Sequence, residues 1–67
     1  MRNMYETPVR VFRNGVVKTV PAGEVQENDV VSVLGRLHVV TAVMEDCDEN
    51  CLLICSGIDA WPAEMCG

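Results

Sequence analysis

The sequence contains few aromatic side chains and few basic groups. Tyr5, Phe12 and Trp61 are its aromatic residues, and its 67 residues hold five Lys and Arg against ten Asp and Glu. Phosphate backbones are bound by clusters of Lys and Arg, so direct nucleic-acid binding is not expected. No stretch approaches the roughly 20 apolar residues that span a bilayer, and no apolar signal segment follows Arg2. We therefore expect a cytoplasmic protein that binds neither nucleic acid nor membrane.

The charges are unevenly distributed along the chain. Residues 45–67 contain six acids and no base, a net charge of −6, whereas residues 1–44 have a net charge of +1. An acidic surface suits a basic protein partner, or serves solubility alone. The candidate partner-binding residues are Glu45, Asp46, Asp48, Glu49 and Trp61.

Short valine-rich segments separated by turn residues predict several short strands. Residues 8–13 and 16–20 flank Asn14 and Gly15, and Asn-Gly between two such segments is a strong hairpin signal because a type I′ turn needs positive φ at both central residues. A two-residue loop places Phe12 opposite Val17. Proline cannot donate to a sheet, so the second strand should end at position 21.

The next two strands are predicted at residues 29–34 and 37–44, joined by a turn at positions 35–36. This turn places Val33 opposite His38 and Val31 opposite Val40. Both faces of the pair are then largely apolar, which fits poorly with an open sheet that has one wet face. The pattern favours either a small closed barrel or a sheet whose second face is buried against a partner.

Residues 51–55 form a short apolar segment that we predict as a fifth strand, returning from the acidic stretch 45–50. A helix over residues 46–56 is the alternative, because Asp46 could cap its start and Gly57 could end it.

The chain ends are expected to be less regular. Residues 1–6 form a loose arm, and residues 58–67 form an irregular tail in which Trp61 covers one open end of the core. The predicted fold is therefore one all-β domain over residues 1–67, a small SH3-like barrel of about five antiparallel strands.

Residues 20–43, which read VPAGEVQENDVVSVLGRLHVVTAV, carry a resemblance. They resemble a recurrent element of short bacterial and phage proteins, in which A-x-E-L/V-x-x-G-D-x-V precedes G-R-x-H-x-V-x-x-V. Similar segments open parts of Hint-type and SH3-like β domains, including translation-factor modules, so the resemblance implies an SH3-like barrel. Asn28 stands where glycine is usual, and asparagine also accepts left-handed backbone. The Hint likeness implies no processing activity, because the early Cys or Ser nucleophile and the histidine block have no counterparts here.

The cysteines raise the question of a metal site, with Cys47, Cys51, Cys55 and His38 as candidate ligands. In an extended strand Cys51 and Cys55 lie about 13 Å apart, too far for one Zn²⁺ with Zn–S bonds of about 2.3 Å. We expect no cofactor and, in the cytoplasm, four reduced cysteines, Cys66 included. A Cys47–Cys51 disulfide is the alternative, since a three-residue loop places the two directly opposite each other.

Catalytic groups are the remaining question. No nucleophile stands beside His38, and neither Ser32 nor Ser56 has a supporting motif, so we expect no enzyme. The leading hypothesis is a non-enzymatic protein-interaction module, such as an accessory protein of a phage or mobile element. The alternatives are a homo-oligomer, a homodimer for instance, that covers the apolar strand faces, and a thiol-based metal or redox protein.

Overall fold

The computed structural model describes residues 3–66 and consists of two antiparallel sheets. The strands are β1 (Pro8–Arg13), β2 (Val16–Pro21), β3 (Val30–Val33), β4 (Arg36–Val39), β5 (Ala42–Asp46), β6 (Cys51–Ser56) and β7 (Asp59–Pro62). The first sheet has the order β2-β1-β3-β4 and the second the order β5-β6-β7. Single turns of 3-10 helix lie at Met4–Glu6, Ala22–Glu24 and Ala63–Met65. The all-β class is confirmed, and among the described residues no helix is long and apolar enough to cross a membrane.

The first hairpin has the predicted register. Phe12 pairs with Val17 and Arg13 with Val16. Asn14 and Gly15 both have positive φ, at 54° and 77°, as a type I′ turn requires. β2 ends at Pro21, as expected for a residue without a backbone N–H.

The second hairpin turns one residue earlier than predicted. Leu34 and Gly35 are its central residues, with φ of 51° and 79°, so Val33 pairs with Arg36 and Val31 with His38. The predicted register, with Val33 opposite His38, is wrong. Both registers put the same side chains on the same faces because they differ by two residues. Hydrophobic alternation therefore could not distinguish them, and the turn geometry decides.

The predicted strand over residues 37–44 is in fact two strands in different sheets. At the break, the Val40 N–H donates to the Asp29 carbonyl at 2.7 Å, and the Thr41 N–H donates to the Cys55 carbonyl at 2.8 Å. The chain thus leaves the first sheet at Val40 and joins the second at Thr41. The expected closed barrel of about five strands is corrected, over residues 3–66, to seven strands in two sheets, neither of which is closed on itself.

The fifth predicted strand is confirmed as β6, and the helical alternative over residues 46–56 is wrong. The tail expected to be irregular contains β7 and the third 3-10 turn, Ala63–Met65. Within the expected N-terminal arm, Met4–Glu6 forms a 3-10 turn whose Tyr5 N–H is capped by the Asn3 side chain. The remaining parts of those two predictions, residues 1–2 and 67, lie outside the described residues.

The two sheets share one core of small aliphatic side chains. Val9, Val11 and Val31 from the first sheet lie with Leu52 and Ile54 from the second in a single buried cluster. All five side chains are at most 2% exposed. The buried cluster therefore lies on one face of each sheet, and the opposite faces point outward, with Cys55 the one buried residue on them among the described strands.

Candidate functional site

A row of apolar side chains crosses the whole outer face of the first sheet. Phe12 pairs with Val17 on one side and with Val30 on the other, and Val30 pairs with Val39. Paired residues of antiparallel strands project from the same face, so the row runs through β2, β1, β3 and β4. Val17 and Val39 are each about half exposed, at 52% and 50%. Leu37, two residues before Val39 on β4, is on the same face and 65% exposed.

We call this surface the Phe12 face, made of Phe12, Val17, Val30, Leu37 and Val39. It departs from the usual antiparallel sheet, in which one face packs on the core and the other is polar. The inward residues of β1, Val9 and Val11, are fully buried, so the fold already has its core without the Phe12 face. Large contiguous exposed apolar patches are found at protein contacts, at membrane contacts and at ligand-binding grooves.

The outer face of the second sheet is also apolar. Met44 pairs with Leu53, and Leu53 pairs with Pro62. The next row is Ala42, Cys55 and Ala60. We call this surface the Met44 face, made of Ala42, Met44, Leu53, Ala60 and Pro62. Met44 is its most prominent side chain, being 57% exposed on the edge strand β5.

The two faces differ in charge. The strands of the first sheet carry four bases, Arg10, Arg13, Lys18 and Arg36, and no acid. Of these, Arg10 alternates with buried Val9 and Val11 and therefore projects from the Phe12 face. The strands of the second sheet carry Glu45, Asp46 and Asp59 and no base. Asp46 lies two residues after Met44, so it projects from the same side of β5, and it pairs with Cys51.

The acids proposed from the sequence as partner-binding residues lie around one end of the second sheet. The Tyr5 hydroxyl donates to the Glu45 carboxylate, and the Asp46 carboxylate accepts from the Glu49 N–H at 3.2 Å within the turn. Asp48 and Glu49 are exposed in the turn itself. Asp46 lies on the side of Met44, and Asp48 and Glu49 lie in the turn at that end, so this margin of the Met44 face is negative. Glu45 pairs with buried Leu52 and projects from the opposite side of β5.

Trp61, proposed with the acids, lies on the other side of the second sheet. It pairs with Ile54 and packs against the buried cluster. Its ring lies 4.4 Å from the ring of His38, centroid to centroid, with the planes tilted by 42°. This contact joins the edge strands β4 and β7 of the two sheets. Trp61 is therefore a half-buried closure of the core, in keeping with the expected cover over one end.

The candidate metal ligands do not converge. Among residues 3–66, no three His, Cys, Asp or Glu side chains are grouped so that they could hold a metal ion. The loop between β5 and β6 has four residues, so Asp46 faces Cys51 and Cys47 lies exposed in the turn. The predicted Cys47–Cys51 opposition is wrong for that reason.

The thiols differ in environment. Burial raises the pKa of the Cys66 thiol. Desolvation raises the pKa of the Cys51 thiol too, and the nearby carboxylates of Asp46, Glu49 and Glu64 add to the effect. Raised values keep these sulfurs as thiols, the less nucleophilic form. All four cysteines are free in the structure, and Cys55 is buried.

The Phe12 face was only partly foreseen from the sequence. Apolar residues on both sides of the β3–β4 pair were expected, and Phe12 opposite Val17 was predicted. What the sequence did not indicate is the pairing of β1 with β3, which places Phe12 beside Val30 and merges two patches into one row.

No small-molecule pocket opens among the described residues. Comparisons of the chain with protein-family models, curated proteins and solved structures gave no match.

Proposed function

We propose that this chain is a non-enzymatic protein-interaction module that binds its partner through the Phe12 face. The observation that supports the proposal is the unbroken apolar row from Val17 to Val39 across four strands, on the side of the sheet away from the core. Burying an aliphatic side chain stabilises a contact by about 25 cal/mol per Å² of apolar surface. A row of partly exposed valines with one aromatic residue and Leu37 therefore favours association.

Two finer expectations belong to the same proposal. An SH3-like relationship is supported by the segment of residues 20–43 and by the short antiparallel strands with tight turns. A role as a cytoplasmic accessory protein of a phage or mobile element is supported by that same segment. Asn28 has φ of 76°, so it adopts the left-handed conformation that glycine would supply in the pattern.

The test is capture of partners by tagged protein in a lysate of source cells whose own copy of the chain is replaced by an untagged copy with the same substitution as the tagged one. The variant Val39→Glu places a charge in the apolar row, and Leu34→Glu is its control with the same change of charge. Leu34 is 83% exposed in a turn, away from the row. The wild type and Leu34→Glu should retain a protein that Val39→Glu loses.

Two results would contradict the proposal. One is a wild-type bait that recovers no protein at low salt, the untagged chain included. The other is a captured protein that binds Val39→Glu as well as the wild type.

A further inference from the structure

We infer that the partner is a second copy of this chain, docked head to tail so that the Phe12 face of one copy covers the Met44 face of the next. The inference rests on the proposed function, because it names the occupant of the same face. Two observations support it: both outer faces are apolar, and they carry opposite charges.

The charges are complementary between the faces and not within either one. Arg10 is the charged residue that projects from the Phe12 face, and Asp46 is the one on the Met44 face. Docking two Phe12 faces would bring two arginines into one contact, with no acid on the four strands to pair with them. Docking two Met44 faces would bring together two negative margins. Only the unlike pairing sets positive against negative, and like-charge contacts disfavour the others.

The presence of two apolar faces also favours this arrangement. A twofold dimer through one face would leave the other apolar face in water. Head-to-tail docking covers both faces of an interior copy, and two sheets packed face to face form a normal β-sandwich interface.

A contact between unlike faces does not close after two copies. Such heterologous contacts produce rings when the rotation closes and open chains when it does not. Self-association should therefore grow with concentration beyond a dimer. The contact should also weaken at high salt, because part of its selectivity comes from exposed charges.

The experiment uses one variant for each face. Val39→Glu sets a carboxylate on the Phe12 face against the negative margin of the next copy. Met44→Lys sets a cation on the Met44 face against Arg10 of the next copy. Both positions are about half exposed on edge strands, so the fold should tolerate the changes. The matched controls are Leu34→Glu and Ile58→Lys, which make the same charge changes at turn positions that are 83% and 102% exposed.

Sedimentation equilibrium over a range of concentrations gives the readout. The wild type and both controls should self-associate, and each face variant alone should associate at least about tenfold more weakly, a cost of about 1.4 kcal/mol. An equimolar mixture of Val39→Glu and Met44→Lys should associate again, because each variant supplies the intact face that the other lacks.

Other outcomes overturn the inference. Undiminished association of Met44→Lys alone would show a contact between two Phe12 faces, and undiminished association of Val39→Glu alone would show one between two Met44 faces. A mixture that stays monomeric would also exclude unlike pairing. A wild type that is monomeric but captures another protein through the Phe12 face would refute this inference and leave the proposed function intact. A monomeric wild type that captures nothing would refute both.

Discussion

The Arg13 guanidinium donates two hydrogen bonds to the Asp29 carboxylate, from Nε at 2.8 Å and from Nη2 at 2.7 Å. Asp29 is 3% exposed, and its second oxygen also accepts from the Gln26 N–H at 2.9 Å. The pair fixes the turn that precedes β3 to the end of β1. It therefore helps to bring β1 beside β3, the pairing that completes the Phe12 face.

Replacing Asp29 by Asn should destabilise the protein by about 2 kcal/mol, because charged hydrogen bonds to Arg13 are lost in a buried setting. Urea unfolding followed by Trp61 fluorescence measures the change in the free energy of unfolding. Glu27→Gln, an exposed carboxylate in the same turn, is the control and should change stability by less than about 0.5 kcal/mol. Equal stability of the two variants would show that the ion pair contributes nothing.

The same pair should make stability depend on acid pH. The hydrogen bond from Arg13 is the main cause that holds the pKa of the Asp29 carboxyl below its usual value, and the Gln26 N–H and the charges of Arg13 and Lys18 act in the same direction. The stabilisation is present above the unfolded pKa, about 3.9, and is lost as pH falls through the lower folded value. Unfolding titrations below about pH 4 should show a shallower loss of stability for Asp29→Asn than for the wild type. Parallel curves would contradict this assignment.

Replacing Leu34 by Asn should stabilise the protein by about 1 kcal/mol. Leu34 has a φ of 51° and is 83% exposed, so it bears a left-handed backbone without burying its side chain. Asparagine tolerates that conformation far better, and Asn-Gly is the pair that already forms the first hairpin turn. Comparing the thermal unfolding of Leu34→Asn with that of Leu34→Ala separates the relief of backbone strain from the loss of the exposed side chain. Alanine removes the side chain but does not relieve the strain. A melting temperature for Leu34→Asn at or below that of Leu34→Ala would contradict the prediction.

The four thiols should react at different rates with a disulfide reagent under native conditions. Cys47 is exposed in a turn, whereas Cys55 and Cys66 are buried. Cys47 should therefore react first and Cys66 last, since access and thiolate character both govern the rate. Mass spectrometry of quenched samples gives the order, and Cys47→Ser should remove the fastest phase. Simultaneous reaction of all four thiols in the folded protein would contradict the burial described above.

Replacing His38 by Ala should weaken the closure between the sheets. The contact between the His38 and Trp61 rings links β4 to β7, and ring pairs of this kind contribute about 0.5–1.5 kcal/mol. The Trp61 emission should shift to longer wavelength as the indole becomes more hydrated. Arg36→Ala, an exposed neighbour on β4, is the control and should leave the emission unchanged. Identical spectra for wild type and His38→Ala would show that this ring contact is absent in solution.

How far the sequence predicts this molecule depends on whether a feature is local. Asn14 and Gly15 carry their own turn geometry, so the first hairpin and its register were predictable. Leucine rarely adopts positive φ, so Leu34 gives no local signal for a turn. The surrounding sheet determines where this turn lies. The break at Val40–Thr41 could not be predicted either, because both residues suit a continuous strand and long-range hydrogen bonds to Asp29 and Cys55 set the bend.

The candidate site shows the same division. Apolar residues on both faces of β3 and β4 indicated either a closed barrel or a covered second face. The sheets do not close, so the second alternative is the one that supports the proposed function. Trp61 was grouped with the acids as a partner-binding residue, but its place on the inner side of β7 follows from pairing with Ile54, which no local pattern reveals.

The most direct test of the proposed contact between the Phe12 face and the Met44 face is a concentration series of two-dimensional NMR spectra of the wild-type protein. As the protein is concentrated, the signals of Phe12, Val17 and Val39 should shift together with those of Met44 and Leu53, while those of Leu34 and Ile58 stay fixed. Spectra that do not change with concentration, or shifts confined to only one of the two faces, would contradict it.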